Sequence, residues 1–336
     1  MQQFTYNDLA RLSNQLELLL YRYKARATVV SGKVLPNFIE LLLVPVQGTR
    51  MSQIKTLQPD IALGLGCADV RIAQKNQFVA VQLTMKTNLG ASSLTRSPVL
   101  LSKLIERLKG QSLQEFTCVL GLCEDGMPLM AQLTSPIVSH ILVAGATGSG
   151  KTTLAQTIVM SLCIQCRPRQ FGLIVIDPKQ RANDAFARSV SDHLLLPVAR
   201  TVEEATRALE RVEDVMLQRV IDEAIQPRLL VYVDEVADLC LSGGKRVMEI
   251  LTRVAQRGRE AGVHLLACTQ KPSAKVLGSL LKSNLPLRLV GRVASADDAR
   301  VAAGMPRTGA ERLNGNGDFL AITGADVIRF QAALPR

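Results

Sequence analysis

Residues 145–153 read G-A-T-G-S-G-K-T-T, and this stretch restricts the possible fold more than any other. It fits the spacing G-x-x-x-x-G-K-[ST], with Gly145, Gly150, Lys151 and Thr152 in register. β-Favouring, mostly apolar residues His140 to Ala144 precede it, and a helical pattern from Thr153 to Cys166 follows. A strand, a glycine-rich turn and a helix in that order form an anion cradle, in which main-chain amides and the positive end of the helix face one point. Polyphosphate oxygens crowd such a loop, and Gly145, Gly148 and Gly150 supply the small residues and unusual dihedrals it needs. The candidate phosphate-binding set is therefore Gly145, Ala146, Thr147, Gly148, Ser149, Gly150, Lys151, Thr152 and Thr153. Lys151 is placed to reach the β- and γ-phosphates, and the Thr152 hydroxyl to ligate Mg²⁺.

Three continuous apolar runs follow: Gly172 to Asp177, Arg228 to Glu235, and Val263 to Cys268. Unbroken apolar strands between helical segments (153–166, 202–223 and 244–261) are those of a buried parallel sheet in an α/β fold. In such sheets ligands collect at the carboxyl ends of strands, which brings the second run's terminal carboxylates towards the phosphate loop. Asp234 is the candidate for the Mg²⁺ shell, and Glu235 for orienting or deprotonating an attacking water. Gln270, just beyond the third run, is a candidate partner of a γ-phosphate or its water, or else a satisfied polar residue at a strand end. Shorter segments complete the pattern: a helix over 99–109, hairpin strands at 117–121 and 129–132, a helix over 276–282, a strand over 287–293, a helix over 296–302 and a strand over 318–322.

The 336 residues allow two domains. Before residue 96 the pattern is a helix over 5–24, strands at 28–33, 38–44, 70–73 and 79–83, and a helix over 52–65. A polar stretch at 87–95 reads as a linker. The expected organisation is an N-terminal helix (1–26), a small α+β domain (27–95) and an α/β domain (96–336). The apolar face of the first helix must be covered, either by the next domain or by a neighbouring subunit.

The net charge is +11, and it is unevenly placed: Lys245 to Arg312 alone holds 13 basic against 5 acidic residues. Such a zone suits a polyanion such as nucleic acid, or a solvated surface. Seven cysteines without framework spacing suit a reducing compartment, and Cys163 with Cys166, one helical turn apart, read as packing residues before metal ligands. The N-terminus lacks the order of a signal peptide, and no apolar run approaches the ~18 residues that span a bilayer, so a cytoplasmic protein is expected.

Further motifs follow in order: I-D-P-K at 176–179, V-D-E-V-A-D-L at 233–239, A-Q-R-G-R-E-A-G-V-H-L-L-A-C-T-Q-K-P-S at 255–273, L-L-K-S-N-L-P-L-R at 280–288 and G-A-E-R-L-N-G-N-G-D at 309–318. The series strongly resembles the FtsK/SpoIIIE DNA translocases through residues 115 to 323, and more faintly their α domain through 27 to 86. The resemblance implies a RecA-like P-loop NTPase motor domain beside the smaller α+β domain. It also implies a hexameric ring using ATP and Mg²⁺ at subunit boundaries, with double-stranded DNA in the central channel. Arg259 matches the family's arginine finger and Gln270 its γ-phosphate sensor, while Lys271 and Arg300 match positions near its DNA-contacting pore loops. Ala296 stands where the family often has lysine. Membrane spans and the C-terminal winged-helix γ domain are missing from the pattern, so a soluble motor is expected, with a partner protein for loading or direction. A coupling-type ATPase of a conjugation or secretion system, or a non-translocating DNA-bound switch, are the alternatives.

Overall fold

A computed structural model of the protein describes residues 6–34, 38–75, 77–85, 98–179, 184–270 and 279–336. The chain divides near residue 97 into two compact units, the smaller also including Glu124–Gly126.

The smaller unit is an antiparallel sheet ordered β1-β2-β4-β3, made of β1 (Ala27–Val34), β2 (Ile39–Pro45), β3 (Cys67–Lys75) and β4 (Phe78–Met85). Leu12, Leu16 and Leu20 recur every four residues in α1 (Tyr6–Arg22), so they share one face. That face is buried with Leu41, Leu43, Val81 and Leu83 of the sheet, so the helix covers the unit that follows it. The single helix expected over 52–65 is two helices, α2 (Met51–Thr56) and α3 (Gln58–Gly64), meeting at Leu57. Pro59 is the cause. Its missing N–H is harmless in the first turn of α3, whereas inside one continuous helix its ring would press on the Lys55 carbonyl. The linker expected at 87–95 lies outside the described residues.

The larger unit has the α/β fold that the apolar runs predict. Its elements are α4 (Leu101–Leu108), β5 (Thr117–Cys123), β6 (Pro128–Gln132), β7 (Ile141–Ala144), α5 (Lys151–Gln165), β8 (Phe171–Ile176), α6 (Asp184–Ser189), α7 (Val202–Ile221), β9 (Arg228–Val233), α8 (Val236–Ser242), α9 (Gly244–Arg257), β10 (Val263–Thr269), α10 (Ser279–Ser283), β11 (Leu287–Gly291), α11 (Ala296–Ala303), β12 (Asp318–Thr323) and β13 (Asp326–Ala332). The sheet runs β6-β5-β13-β12-β11-β7-β10-β9-β8; the five strands from β11 to β8 are parallel and the rest antiparallel. Every residue of β7, β8, β9 and β10 is buried, because helices cover both faces. On one face α5 contributes Leu154, Ile158 and Leu162, each worth roughly 1.5–3 kcal/mol in transfer from water. On the other, α7, α8 and α9 supply Leu209, Val212, Leu239, Ile250 and Val254.

The larger unit also departs from the sequence pattern. The helix expected to run to 261 stops at Arg257 and tightens into a 3-10 turn, Gly258–Ala261. The first residues of the helix expected over 276–282 lie outside the described residues. β13 was not expected; it pairs with both β12 and β5 and so joins the C-terminal hairpin to β5 and β6.

Candidate functional site

The phosphate loop leaves β7 between two neighbours that hold its start. Gly145 N donates to Thr269 O on the β10 side at 3.3 Å, and Ala146 N to Arg292 O on the β11 side at 2.7 Å. Gly150 has φ 99°, and a Cβ there would lie 2.9 Å from Gly317 N, so only glycine satisfies both the dihedral and the close approach. α5 starts at Lys151, so its first amides and positive dipole end open onto the loop. The Lys151 ammonium donates to Ala146 O at 3.1 Å, a position folded over the loop from which it can exchange the carbonyl for a phosphate oxygen.

A turn far away in sequence supports the loop. Asn316 N donates to Gly148 O at 3.0 Å, and Gly317 N to Ser149 O at 2.9 Å. This turn is fixed by Asp318, which is fully buried and accepts from Arg329 Nε and Nη2 at 3.0 and 2.8 Å, and from Asn314 N and Nδ2 at 2.9 and 3.0 Å. Asp318 and Arg329 were absent from the candidate set. The only sequence signal of Asp318 is the G-N-G-D string, which does not say what the turn touches, and Arg329 lies outside it.

The carboxylates gather at the ends of β8 and β9. Ile176 pairs with Val233, so Asp177 and Asp234 leave the sheet side by side, both buried. Tyr232 OH donates to Asp234 Oδ1 at 3.3 Å. Burial first, then the nearby Cys268, Asp234 and Asp177, keep that phenol protonated far above its usual range. Glu235 is buried in a left-handed conformation (φ 59°, ψ 60°), uncommon for a non-glycine residue and typical of a constrained site. Its Oε1 accepts from Thr269 Oγ1 and from Gln270 N, each at 2.9 Å. Gln270 in turn accepts at Oε1 from Thr147 Oγ1 at 3.2 Å. A continuous polar chain, Glu235 to Gln270 to Thr147, thus joins the carboxylate to the phosphate loop. Thr269 belongs to it as well, and Asp177 belongs beside Asp234; the sequence presents both only as parts of motifs.

A cavity of about 170 Å³ opens beside Asp234 and Glu235, bordered by Pro178, Lys179 and Asp238, the last two joined as an ion pair. Thr152 and Asp234 offer hard oxygen donors, and two buried carboxylates side by side favour a nearby cation. No group of three His, Cys, Asp or Glu among the described residues is disposed to hold a metal. Mg²⁺ is usually held by one or two protein oxygens and completed by phosphate and water, the kind of donor Thr152 and Asp234 offer.

The remaining candidates are not brought to this site. Arg259 sits in the 3-10 turn before β10, exposed, at the amino edge of the sheet. The seven residues of β10 separate it from Gln270, a span of roughly 20 Å at the usual strand rise. Its turn is firmly anchored: Arg219 Nη1 donates to Ala261 O at 2.9 Å, and Gly262 N to Arg259 O at 3.1 Å. Beneath it lie two buried histidines. Leu265 N donates to His140 Nδ1 at 3.0 Å, and His264 Nδ1 donates to Ser139 O at 2.9 Å. Burial, then repulsion from His264, pushes His140 down to about 3. Burial, together with Arg228, Arg259 and Arg219, pushes His264 down to about 4. Arg253, a neighbour of Arg259 in sequence, is bonded to Glu213 of α7.

Arg300 is exposed on α11 and lies 3.5 Å from Asp297. Lys271 lies outside the described residues. Cys163 and Cys166 are half-buried against the core, and burial holds the Cys163 thiol up at about 12. No helix among the described residues is long and apolar enough to cross a membrane.

Comparison with known proteins adds relatives over most of the chain. The FtsK/SpoIIIE family matches residues 104–225 and 221–274, and the FtsK alpha domain residues 1–83. A protein named DNA translocase FtsK from Staphylococcus epidermidis is 31% identical over 94% of this chain and 41% of its own length. The protein of that name from Staphylococcus aureus is 30% identical over 95% of this chain and 42% of its own. The chain thus spans about two fifths of the length of the curated relatives it matches. Among solved structures, the pCW3 conjugation coupling protein TcpA with ATPγS superposes with a TM-score of 0.63 at 20% identity, over 96% of this chain and 95% of that one. The cytoplasmic domain of the type VII secretion ATPase EccC from Thermomonospora curvata gives 0.59 at 24% identity, over 71% of this chain and 32% of that one. At these identities the structures establish a shared fold.

Proposed function

The chain belongs to the FtsK/SpoIIIE family, and from that premise we propose that it is an ATP-driven motor on double-stranded DNA, hydrolysing ATP at the boundaries of a ring of copies. The observation that carries this reading is the polar chain from Glu235 through Gln270 to Thr147, which couples the carboxylate at the end of β9 to the loop that would hold the phosphates. In the proposed cycle Lys151 and the loop amides bind the polyphosphate, while Thr152 and Asp234 would hold Mg²⁺, which neutralises phosphate charge when bound. Glu235 orients the attacking water and takes its proton. Gln270 senses the γ-phosphate through its side chain and holds Glu235 through its amide, so loss of that phosphate alters the carboxylate's support. Arg259, anchored at the far edge of the sheet, serves the neighbouring copy's site, where a finger of this kind is worth roughly 10³–10⁵ in rate.

DNA as substrate is supported by the names of the curated relatives and by the basic zone from Lys245 to Arg312. Arg300 and Lys271 are proposed to meet phosphates without reading sequence, as sliding requires. ATPase rates with and without linear duplex, across a salt series, test the proposal. Stimulation that fades as salt rises, and that is lost in Lys151→Ala and Glu235→Gln, is expected. Equal rates with and without duplex refute the DNA motor and leave the coupling-type ATPase. Stimulation without displacement of a triplex-forming strand leaves the DNA-bound switch.

A further inference from the structure

The phosphate loop has two flanks, and the proposed hydrolytic chemistry occupies only one. On the β10 side stand Thr269, Gln270 and Glu235; on the opposite side β11 runs beside β7, and Arg292 follows its last residue. Its carbonyl receives Ala146 N at 2.7 Å, which ties residue 292 to the loop. Its side chain is exposed and reaches over the turn that supports the loop. Arg292 Cζ and Nε both lie 3.5 Å from the position a Cβ on Gly315 would take, and that position is 3.3 Å from Gly148 O. Gly315, at φ 75°, leaves that space to the guanidinium.

We infer that Arg292 is a second nucleotide-binding cation supplied by the same chain, gripping the α- and β-phosphates from the flank opposite Glu235 and Gln270. The inference rests on the reading of the loop as a nucleotide site. A guanidinium is always charged, and its planar fork matches two phosphate oxygens at once. The Gln270 flank marks the γ-phosphate end, so a cation on the other flank faces the phosphates that ATP and ADP share. Arg292 therefore governs affinity for both nucleotides rather than the hydrolytic step.

Titration of the full chain with ATP and, separately, ADP at fixed Mg²⁺, by calorimetry, tests this in wild type, Arg292→Ala, Arg292→Lys and Lys151→Ala. Expected is a loss of roughly tenfold in affinity for both nucleotides in Arg292→Ala, with partial recovery in Arg292→Lys and an unchanged melting temperature without nucleotide. Unchanged affinities overturn the inference, as does a loss confined to ATP or an Arg292→Lys protein no better than Arg292→Ala. If Lys151→Ala also binds both nucleotides as wild type does, the nucleotide reading of the loop itself fails.

Discussion

Replacing Arg329 with methionine asks whether the phosphate loop is shaped from outside itself. Methionine keeps most of the apolar stem and deletes the guanidinium, leaving the fully buried Asp318 carboxylate with its two bonds from Asn314. Removing one partner of a buried ion pair costs about 3–5 kcal/mol, and the surviving Asn314 donors place this case near the lower end, about 3 kcal/mol. For a unit of this size that lowers the melting temperature by roughly 6–12 °C. Arg329→Met with Asp318→Asn removes the stranded charge as well, so the double variant should lose only about 1–2 kcal/mol. The turn carrying Asn316 and Gly317 loosens in both proteins, so nucleotide affinity should fall in both even where stability recovers. Urea and thermal unfolding give the energies, and ADP titration reports the loop. A loss below about 1 kcal/mol in the single variant refutes the reasoning. So does a double variant as unstable as the two singles combined.

The two buried histidines predict acid lability. Their folded pKa values, about 3 and about 4, lie below the usual 6.5, so the unfolded chain takes up protons first as pH falls. Stability should be full above about pH 6.5 and decline down to about pH 4 for His264 and about pH 3 for His140, by roughly 2 kcal/mol per imidazole at pH 5; His140→Asn with His264→Asn, which keep an acceptor and a donor in place, should flatten that decline, as pH-resolved urea melts would register. Arg259→Ala and Lys151→Ala should each be inactive alone and regain about a quarter of the wild-type ATPase rate when mixed in equal amounts, since one boundary in four then has both groups. No regained activity would exclude a shared site.

The phosphate loop was legible because its chemistry is local: eight consecutive residues carry the glycines, the lysine and the hydroxyl. The buried parallel strands were legible for a similar reason, since burial on both faces disfavours polar residues and leaves the mostly apolar runs at 172–177 and 263–268. What supports the site was less so. Asn316 reaches Gly148 across more than 160 positions, and no local pattern announces that contact. β13 was missed because its first apolar residues, Val327 and Ile328, are exposed, and its outward and inward residues do not alternate cleanly. Asp177 was read as motif and not as site because only the register with Val233 puts it beside Asp234. The break at Pro59 is a different case: the proline was there to be read, and its consequence for a helix over 52–65 follows directly.

The sheet itself explains why binding and turnover should separate. Its carboxyl edge holds the phosphate loop, the paired carboxylates, Gln270 and Arg292; its amino edge holds Arg259. A strand seven residues long and buried throughout cannot bend the two together, so the larger unit presents the two halves of the proposed site in opposite directions. Two such surfaces on one body meet only head to tail, a heterologous contact that closes into a ring when the rotation allows. The turn of the proposed finger is tied to α7 through Arg219, and α7 to α9 through Glu213 with Arg246 and Arg253, so Arg259 is held to the body of the unit and, on the proposed reading, needs little ordering to dock. On the proposed reading, nucleotide affinity is a property of one copy, set by Lys151 and Arg292, whereas the rate is a property of how accurately the next copy is seated.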